Sequence, residues 1–556
     1  MLIKEHIAES IRRALASARE QGVLPLTATP DVALERPPRP ELGDFATNLP
    51  LRLARSLRIS PMEIAQRLAP LIPPSEAIEQ VTVAPPGFIN FTLRPAWLCQ
   101  QVEAILQAGE RWGSLEIGKG QRIQVEFVSV NPTGPVHVGH TRGAVLGSAL
   151  ANVLKAAGYK VVREYYINDA GSQIDAFARS LWARYMQAFD LPAQLPPDGY
   201  QGQYVIDLAQ ELRATYGDRL LHLPEQEALE TVREWGLQRI LGMIREDLQR
   251  LGVEFDIWFS ERDLYKSSNY QKAMEILRVG GYLTEREGAV WFTSTALGED
   301  KDSVLVRSTG LPTYFASDAA YHYNKFVVRG FDRVINIWGA DHQGHVPRLK
   351  AVVQALGIDP QRLTIIIAQM VTLKRAGEMV RASKRKGELV TLGDLVDEVG
   401  PDACRYFFLA RSADAQMEFD LDLAKQQSQE NPVYYIQYAH ARMAGILRLA
   451  RERGLDAKGG NVLLLKEPAE LDLVRRLILL PEVVETVART LEPHHLPHYA
   501  LDLATAFHWF YDHHRVITDD MALSKARLKL VEASRRVLTR TLALMGMNAP
   551  ERMEKA

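Results

Sequence analysis

Two imidazoles bracket a valine and a glycine in His137-Val138-Gly139-His140, and far downstream Lys374, Arg375, Arg381, Lys384, Arg385 and Lys386 crowd the stretch KRAGEMVRASKRKG. Both patterns suit anionic oxygen. The histidines close the loop VNPTGPVHVGH at a predicted helix start, where free backbone N–H groups and the positive end of the helix dipole favour phosphate. Spaced i and i+3, they face the same side, and Gly139 lets the backbone come close with no Cβ in the way. Such a pair can donate hydrogen bonds to phosphate as charge develops on it. Alone the tetrapeptide is a weak signal, and two surface histidines near a turn is the plain alternative. A strand before it, Pro and Gly within the loop and a helix after it supply the right context. In the cationic run Glu378 is the only acid, and a solvated basic loop is the commonest fate of such a run. Yet it follows the strand-like LTIIIAQMV, at the end where open α/β sheets hold ligands. A closing loop there could bring a lysine over a polyphosphate and neutralise a departing pyrophosphate.

The elements that must position these groups can be read from periodicity. Ile123, Val125 and Phe127 alternate in RIQVEF; Leu146, Leu150, Val153 and Leu154 fall at helical spacing; KVVREYYI returns as a strand. That is the opening βαβ unit of a doubly wound sheet. Residues 1 to about 110 read as a small α+β domain, with helical patterns, the break Arg36-Pro37-Pro38-Arg39-Pro40 and a strand pair ending in GFINFTL. Residues from about 111 to 425 read as the α/β domain, interrupted by a charged helical insertion at about 171–285. Strand-like runs then resume as AVWFTS, RVINIWG and LTIIIAQMV. From about 426 to 556 the pattern is helical, with prolines only between periodic blocks.

Composition narrows the class without naming it. With 556 residues, 47% hydrophobic and 24% charged, the chain reads as a multidomain globular protein. No run reaches the apolar length of a membrane span, and no secretory signal is visible, which predicts a cytoplasmic protein. Two cysteines, Cys99 and Cys404, are too few for a disulfide framework or a four-thiolate zinc site. A net charge of −2 neither announces nor excludes nucleic-acid binding through local basic patches.

Together the two elements resemble the paired signatures of class I aminoacyl-tRNA synthetases. His137 to His140 match the first directly. Arg381-Ala382-Ser383-Lys384-Arg385 is a degenerate copy of the second, usually written KMSKS; Ser383 and Lys384 match it, while Arg381, Ala382 and Arg385 do not. Lys384 is therefore the expected phosphate contact. The segments VEFVSVNPTGPVHVGH, LPTYFASDAAYHYNK, WGADHQGHVPRLK, VTLGDLVDEVGPDACRYFFL, ENPVYYIQYAHARM and LMGMNAPERM resemble the arginyl-tRNA synthetase family across nearly the whole chain.

The resemblance implies a Rossmann-like catalytic domain, an N-terminal α+β domain that touches the tRNA and an all-α anticodon-binding domain. It also implies catalytic roles for His137, His140 and Lys384, and ATP contacts from His137, Gly139, His140, Gly339, Asp341, His342, Ser383 and Lys384. Arginine contacts would come from Glu126, Asn131, His137, Tyr314, Asp318 and Gln343. A guanidinium asks for carboxylate partners in fork geometry, and Asp318 matches that position with Tyr314 one helical turn away. Taken singly, Asp318 suits a helix-start acid, Tyr314 a half-buried aromatic and Asn131 a turn former before Pro132. Phe88 and Asn90 match positions that read a splayed tRNA base. The helix bearing Tyr434, Tyr435, Tyr438, His440 and Arg442 offers either an RNA face or interdomain packing. Implied partners are tRNA(Arg), L-arginine and ATP, with Mg2+ arriving on the nucleotide, no tightly bound cofactor and no metal site, in a monomer. His342, His345 and Asp341 could suggest a metal, but the outer residues would compete with a nucleotide for the same cleft. The histidines between 494 and 514 could suggest one too, but their spacing fits no standard ligand pattern. Three rivals stand at this level: another class I synthetase such as the cysteinyl enzyme, a small-metabolite nucleotidyltransferase that shares the HxGH loop, and a catalytically dead RNA-binding paralogue. The thiolate-ligated zinc of the cysteinyl enzyme cannot be built from Cys99 and Cys404 alone.

Overall fold

The computed structural model describes residues 2–380 and 390–553. Ser383 and Lys384, with Arg381, Arg385 and Lys386, lie outside the described residues. Apolar runs assemble a five-stranded parallel sheet from β1 (Arg122–Glu126), β2 (Lys160–Ile167), β3 (Ile257–Ser260), β4 (Arg333–Gly339) and β5 (Leu363–Ala368). Spatial order is β5-β4-β1-β2-β3. Ile123, Gln124 and Val125 are all fully buried, so β1 is covered on both faces, as parallel sheets are. The chain winds outward from β1 to β3 and then crosses back to β4 on the other side of β1. A crevice therefore opens beyond the carboxyl ends of β1 and β4, the switch point where such sheets bind ligands.

Helix α1 (Val138–Ala156) returns from that crevice along the sheet. Phe127, at the exit of β1, is fully buried, and a Cβ added at Gly147 of α1 would overlap its ring. Gly147→Ala is expected to lower stability by about 1–3 kcal/mol, since an overpacked core must shift backbone to accept a methyl. A lower urea midpoint at unchanged m would register it; an unchanged midpoint would contradict this close packing.

The stretch expected as an insertion, about 171–285, does hold the helices Ser172–Gln187, Gln203–Tyr216 and Glu225–Arg250. It also contains β3, a strand of the sheet itself, whose four residues are too few to announce a period. The run AVWF joins a separate antiparallel sheet of Leu283–Arg286, Ala289–Phe292 and Ser303–Val306. Next comes α2 (Tyr314–Tyr323), which continues into a π turn at Asn324–Val328.

At the N-terminal end, helix Ile3–Glu20 buries Ile3, Ile7, Ile11 and Leu15 on one stripe. The strand pair Ile78–Ala84 and Phe88–Leu93 gains a third member, Phe45–Thr47, beside the latter. The C-terminal end contains α3 (Pro432–Glu452), α4 (His495–His513) and α5 (Met521–Met545), with shorter helices at Pro468–Leu477 and Leu480–Thr490. A buried guanidinium ties this end to α1: Arg405 donates to Met545 O (2.6 Å), Leu251 O (2.9 Å) and Ser148 Oγ (2.8 Å). Asn152 of α1 adds a bond to Leu544 O at 3.3 Å. No described helix is long and apolar enough to cross a membrane.

Candidate active site

The loop leaving β1 is held in an uncommon backbone. Val128 and Ser129 have φ of 69° and 42°, a region that costs a side-chain-bearing residue of order 1–3 kcal/mol. Neighbouring bonds over-determine it: Tyr166 N–H donates to Ser129 Oγ (3.0 Å) and Tyr165 O–H to Val130 O (2.8 Å). His137 then caps α1 with extended backbone and no side-chain cap bond. A Cβ on Gly139 would stand 3.1 Å from the His137 ring, so the glycine makes room for that ring beside the helix start. The rings of His137 and His140 lie 4.1 Å apart. Burial, then the neighbouring His137, brings His140 down to about 4, so it is neutral at physiological pH and can donate a hydrogen bond without standing charge repulsion.

Across the crevice, β4 ends at Gly339, where an added Cβ would come within 2.6 Å of Asp341 Oδ1. Asp341, His342 and Gln343 are exposed in the turn that follows. Asp341 and His342 both act on the charge of His140, which brings the β1 and β4 loops to one cleft. At His345 the Arg348 guanidinium meets Nδ1 at 2.7 Å, and a cation there opposes a metal ion.

The third wall is acidic. Glu126 ends β1, Asp318 lies in α2 and Glu261 follows β3 directly. Burial, then the charges of Glu126 and Glu261, push the Asp318 carboxyl up to about 7 against the pull of Arg348 and Lys325. Burial also raises Glu261; a hydrogen bond to Ser317 opposes the rise and the charge of Asp169 adds to it. Glu261 is 3% exposed, and its Oε2 has no hydrogen-bond partner among the described residues. A pair of acids raised in this way is built to receive a cation. Glu261 was missed by sequence reasoning, although an acid immediately after a strand at the ligand end of the sheet was the available signal. Tyr314 is half exposed at the first turn of α2, and Asn131 bonds to Gln173 (2.5 Å) and Asn168 (3.2 Å) at the rim.

Two cations of the basic run are described and both are paired. Lys374 pairs with Glu418 (2.5 Å) and Arg375 with Glu398 (2.6 Å) on the strand Val371–Arg375. Beyond the segment that holds Ser383 and Lys384, the chain rejoins the first signature. Val138 N–H donates to Val390 O (3.1 Å), Leu392 N–H donates to Val136 O (2.7 Å), and His137 bridges Thr391.

Of the RNA candidates, Asn90 is 5% exposed within the N-terminal sheet, which leaves the half-buried Phe88 as the more accessible of the two. His440 is buried and bonds to Pro550 O (2.8 Å) and Thr539 Oγ1 (2.9 Å), so it packs helices together and presents no free edge. Tyr434 and Tyr438 stack at 5.9 Å, and Arg442 lies 4.7 Å over both Tyr438 and Tyr511. Trp509, 59% exposed, packs against the ring of His513 on the same helix. In the histidine-rich segment, Glu492, His494 and His495 bring ligand atoms within 4.8 Å of one another, whereas His508 is buried against Tyr435.

A parallel sheet with an imidazole pair at its switch point is the catalytic arrangement of a class I tRNA synthetase, and residues 101–408 match the family model described as the class I (R) tRNA synthetase catalytic domain. Residues 2–93 match the arginyl-tRNA synthetase N-terminal domain and 436–553 the DALR anticodon-binding domain. An arginine–tRNA ligase of Dehalococcoides mccartyi is 58% identical over 100% of this chain and 99% of its own. Another, of Heliobacterium modesticaldum, is 49% identical over 99% of each. The chain belongs to the arginyl-tRNA synthetase family. The fold is shared with the Thermus thermophilus arginyl-tRNA synthetase (TM-score 0.79, 24% identity, 99% of this chain and 100% of that one). It is likewise shared with the Plasmodium falciparum enzyme (TM-score 0.76, 16% identity, 99% of each).

Proposed function

We propose that this arginine–tRNA ligase divides its work among the three walls of the crevice. The arginine carboxylate attacks the α-phosphorus of ATP in line and pyrophosphate departs. The 2′-hydroxyl of the terminal tRNA ribose then attacks the carbonyl of the adenylate and releases AMP. His137 and His140 donate to the phosphate oxygens as charge builds, and Lys384 neutralises the leaving pyrophosphate. Gly139, Gly339, Asp341, His342 and Ser383 line the nucleotide. Asp318, Glu261 and Tyr314 take the guanidinium, while Glu126, Asn131, His137 and Gln343 hold the other end of the amino acid. Magnesium comes with the nucleotide and takes its oxygens chiefly from phosphate and water. Phe88 and the Tyr434–Tyr438–Arg442 face contact tRNA(Arg), and the enzyme works as a cytoplasmic monomer.

The carrying observation is that Asp318 and Glu261 are both raised, chiefly by burial and then by the charges of neighbouring acids. Pyrophosphate exchange with each amino acid in turn, with and without tRNA, tests the reading. Arginine should dominate and cognate tRNA should be required; a better substrate than arginine would overturn it.

The raised Asp318 also sets a pH dependence. Guanidinium binding favours the ionised carboxylate, so a proton must leave Asp318 wherever pH lies below about 7. Arginine affinity is expected to fall roughly fivefold to tenfold between pH 7 and pH 6. Calorimetry in buffers of different ionisation enthalpy should register proton release on binding at pH 7; proton uptake would contradict the assignment.

A further inference from the structure

Behind the acidic wall runs a buried polar chain. Lys325, fully buried in the π turn after α2, donates to Glu126 Oε2 (2.5 Å) and to Asn336 Oδ1 of β4 (3.0 Å). Asn336 Nδ2 donates to His322 Nε2 (3.0 Å), and His322 Nδ1 donates to the Asp318 carbonyl (2.8 Å). This tautomer is the one that satisfies every donor and acceptor along the line. Burial, then the nearby Lys325, takes His322 well below its ordinary value, so the ring is neutral as the chain requires. Lys325 also stands 4.1 Å over the Tyr321 ring, and Tyr321 O–H donates to Glu164, which Arg329 grips at 2.5 and 2.8 Å. Glu126 and Glu164 are thus each paired with an internal base, whereas Asp318 and Glu261 form no ion pair among the described residues. A π turn adds a residue to a helical circuit and re-aims the side chains beyond it, which is how a lysine from this helix reaches β1.

Resting on the arginine reading above, we infer that Lys325, Asn336 and His322 form a rigid spacer between the carboxylates at the two ends of arginine, so that Lys325 is a specificity-determining positioning residue that reads side-chain length. None of the three touches the substrate. They hold Glu126 and the turn bearing Asp318 at one separation, and a substrate longer by one methylene must strain that separation.

The test compares Lys325→Met and Asn336→Ala with the unmodified enzyme in pyrophosphate exchange with tRNA(Arg), using arginine and homoarginine as substrates. Both variants should raise the arginine KM tenfold or more, keep the ATP KM within twofold, and reduce the preference for arginine over homoarginine at least tenfold, the scale on which one methylene is normally discriminated. Lys325→Met strands the Glu126 charge and can weaken folding. Asn336→Ala changes no charge, and a thermal melt identifies it as folded. If folded Asn336→Ala lowers kcat/KM for both amino acids by one common factor, the chain is ordinary packing and the inference fails. An unmodified enzyme that does not use arginine would overturn the underlying reading as well.

Discussion

Asp318→Asn is expected to lower kcat/KM for arginine by roughly 30-fold to a few thousand-fold, the 2–5 kcal/mol range for losing one partner of a buried charge pair. Asparagine keeps the shape of the side chain, but it removes the charge and can turn an N–H toward the guanidinium donors. Glu261 retains a carboxyl nearby, so some arginine binding survives and the loss should fall mainly on the arginine KM. The ATP KM should stay within twofold. Stability should move the other way. Because Asp318 is raised to about 7, the folded protein bears a cost for ionising it that the unfolded chain does not. Relieving that cost should raise the melting temperature, with a gain that grows as pH rises from about 4 to about 7 and is level above. A variant that loses less than fivefold in kcat/KM would remove Asp318 from the pocket.

His140→Ala should lower the adenylation rate by about 100-fold to 1,000-fold, the usual loss for one preorganised donor to a developing anion. The ring is half-buried at the helix entrance and contributes little to the core, so the melting temperature should barely change. His140→Asn keeps a donor near the same place and should recover part of the rate. With His140 brought down to about 4, its loss should be the same across pH 6 to 9; a loss confined to acid pH would mean that the charged ring is the working form. Single-turnover adenylate formation separates this effect from product release.

These outcomes bear on how much could be seen before the coordinates. The signature loop, its strand and its helix were legible, because strand alternation, Pro and Gly, and helical spacing all agreed within a few dozen residues. Asp318 and Tyr314 were reached through resemblance, since a lone acid and a lone tyrosine carry no period. Glu261 escaped because β3, the strand before it, has four residues inside a stretch dominated by helices. Lys325 was hidden for another reason: its partner Glu126 lies 199 residues away, and only the winding of the sheet brings them together. Within the basic run, the pairing of Lys374 and Arg375 could not be read from composition, since the acids that neutralise them sit on other elements. The helical end was plain as helix, yet the burial of His440 follows from packing against Thr539 and Pro550 that sequence does not display.

Arg405 has a mechanical consequence. It clamps the last helix to the midpoint of α1, a rod about 28 Å long at 1.5 Å per residue, whose leading end carries the imidazoles. The clamp is four hydrogen bonds from a single guanidinium, three to backbone carbonyls and one to a serine hydroxyl, so it resists sliding in more than one direction. The last helix and the helix that carries the imidazoles are therefore joined side by side through one buried guanidinium, which fixes how they can shift against each other.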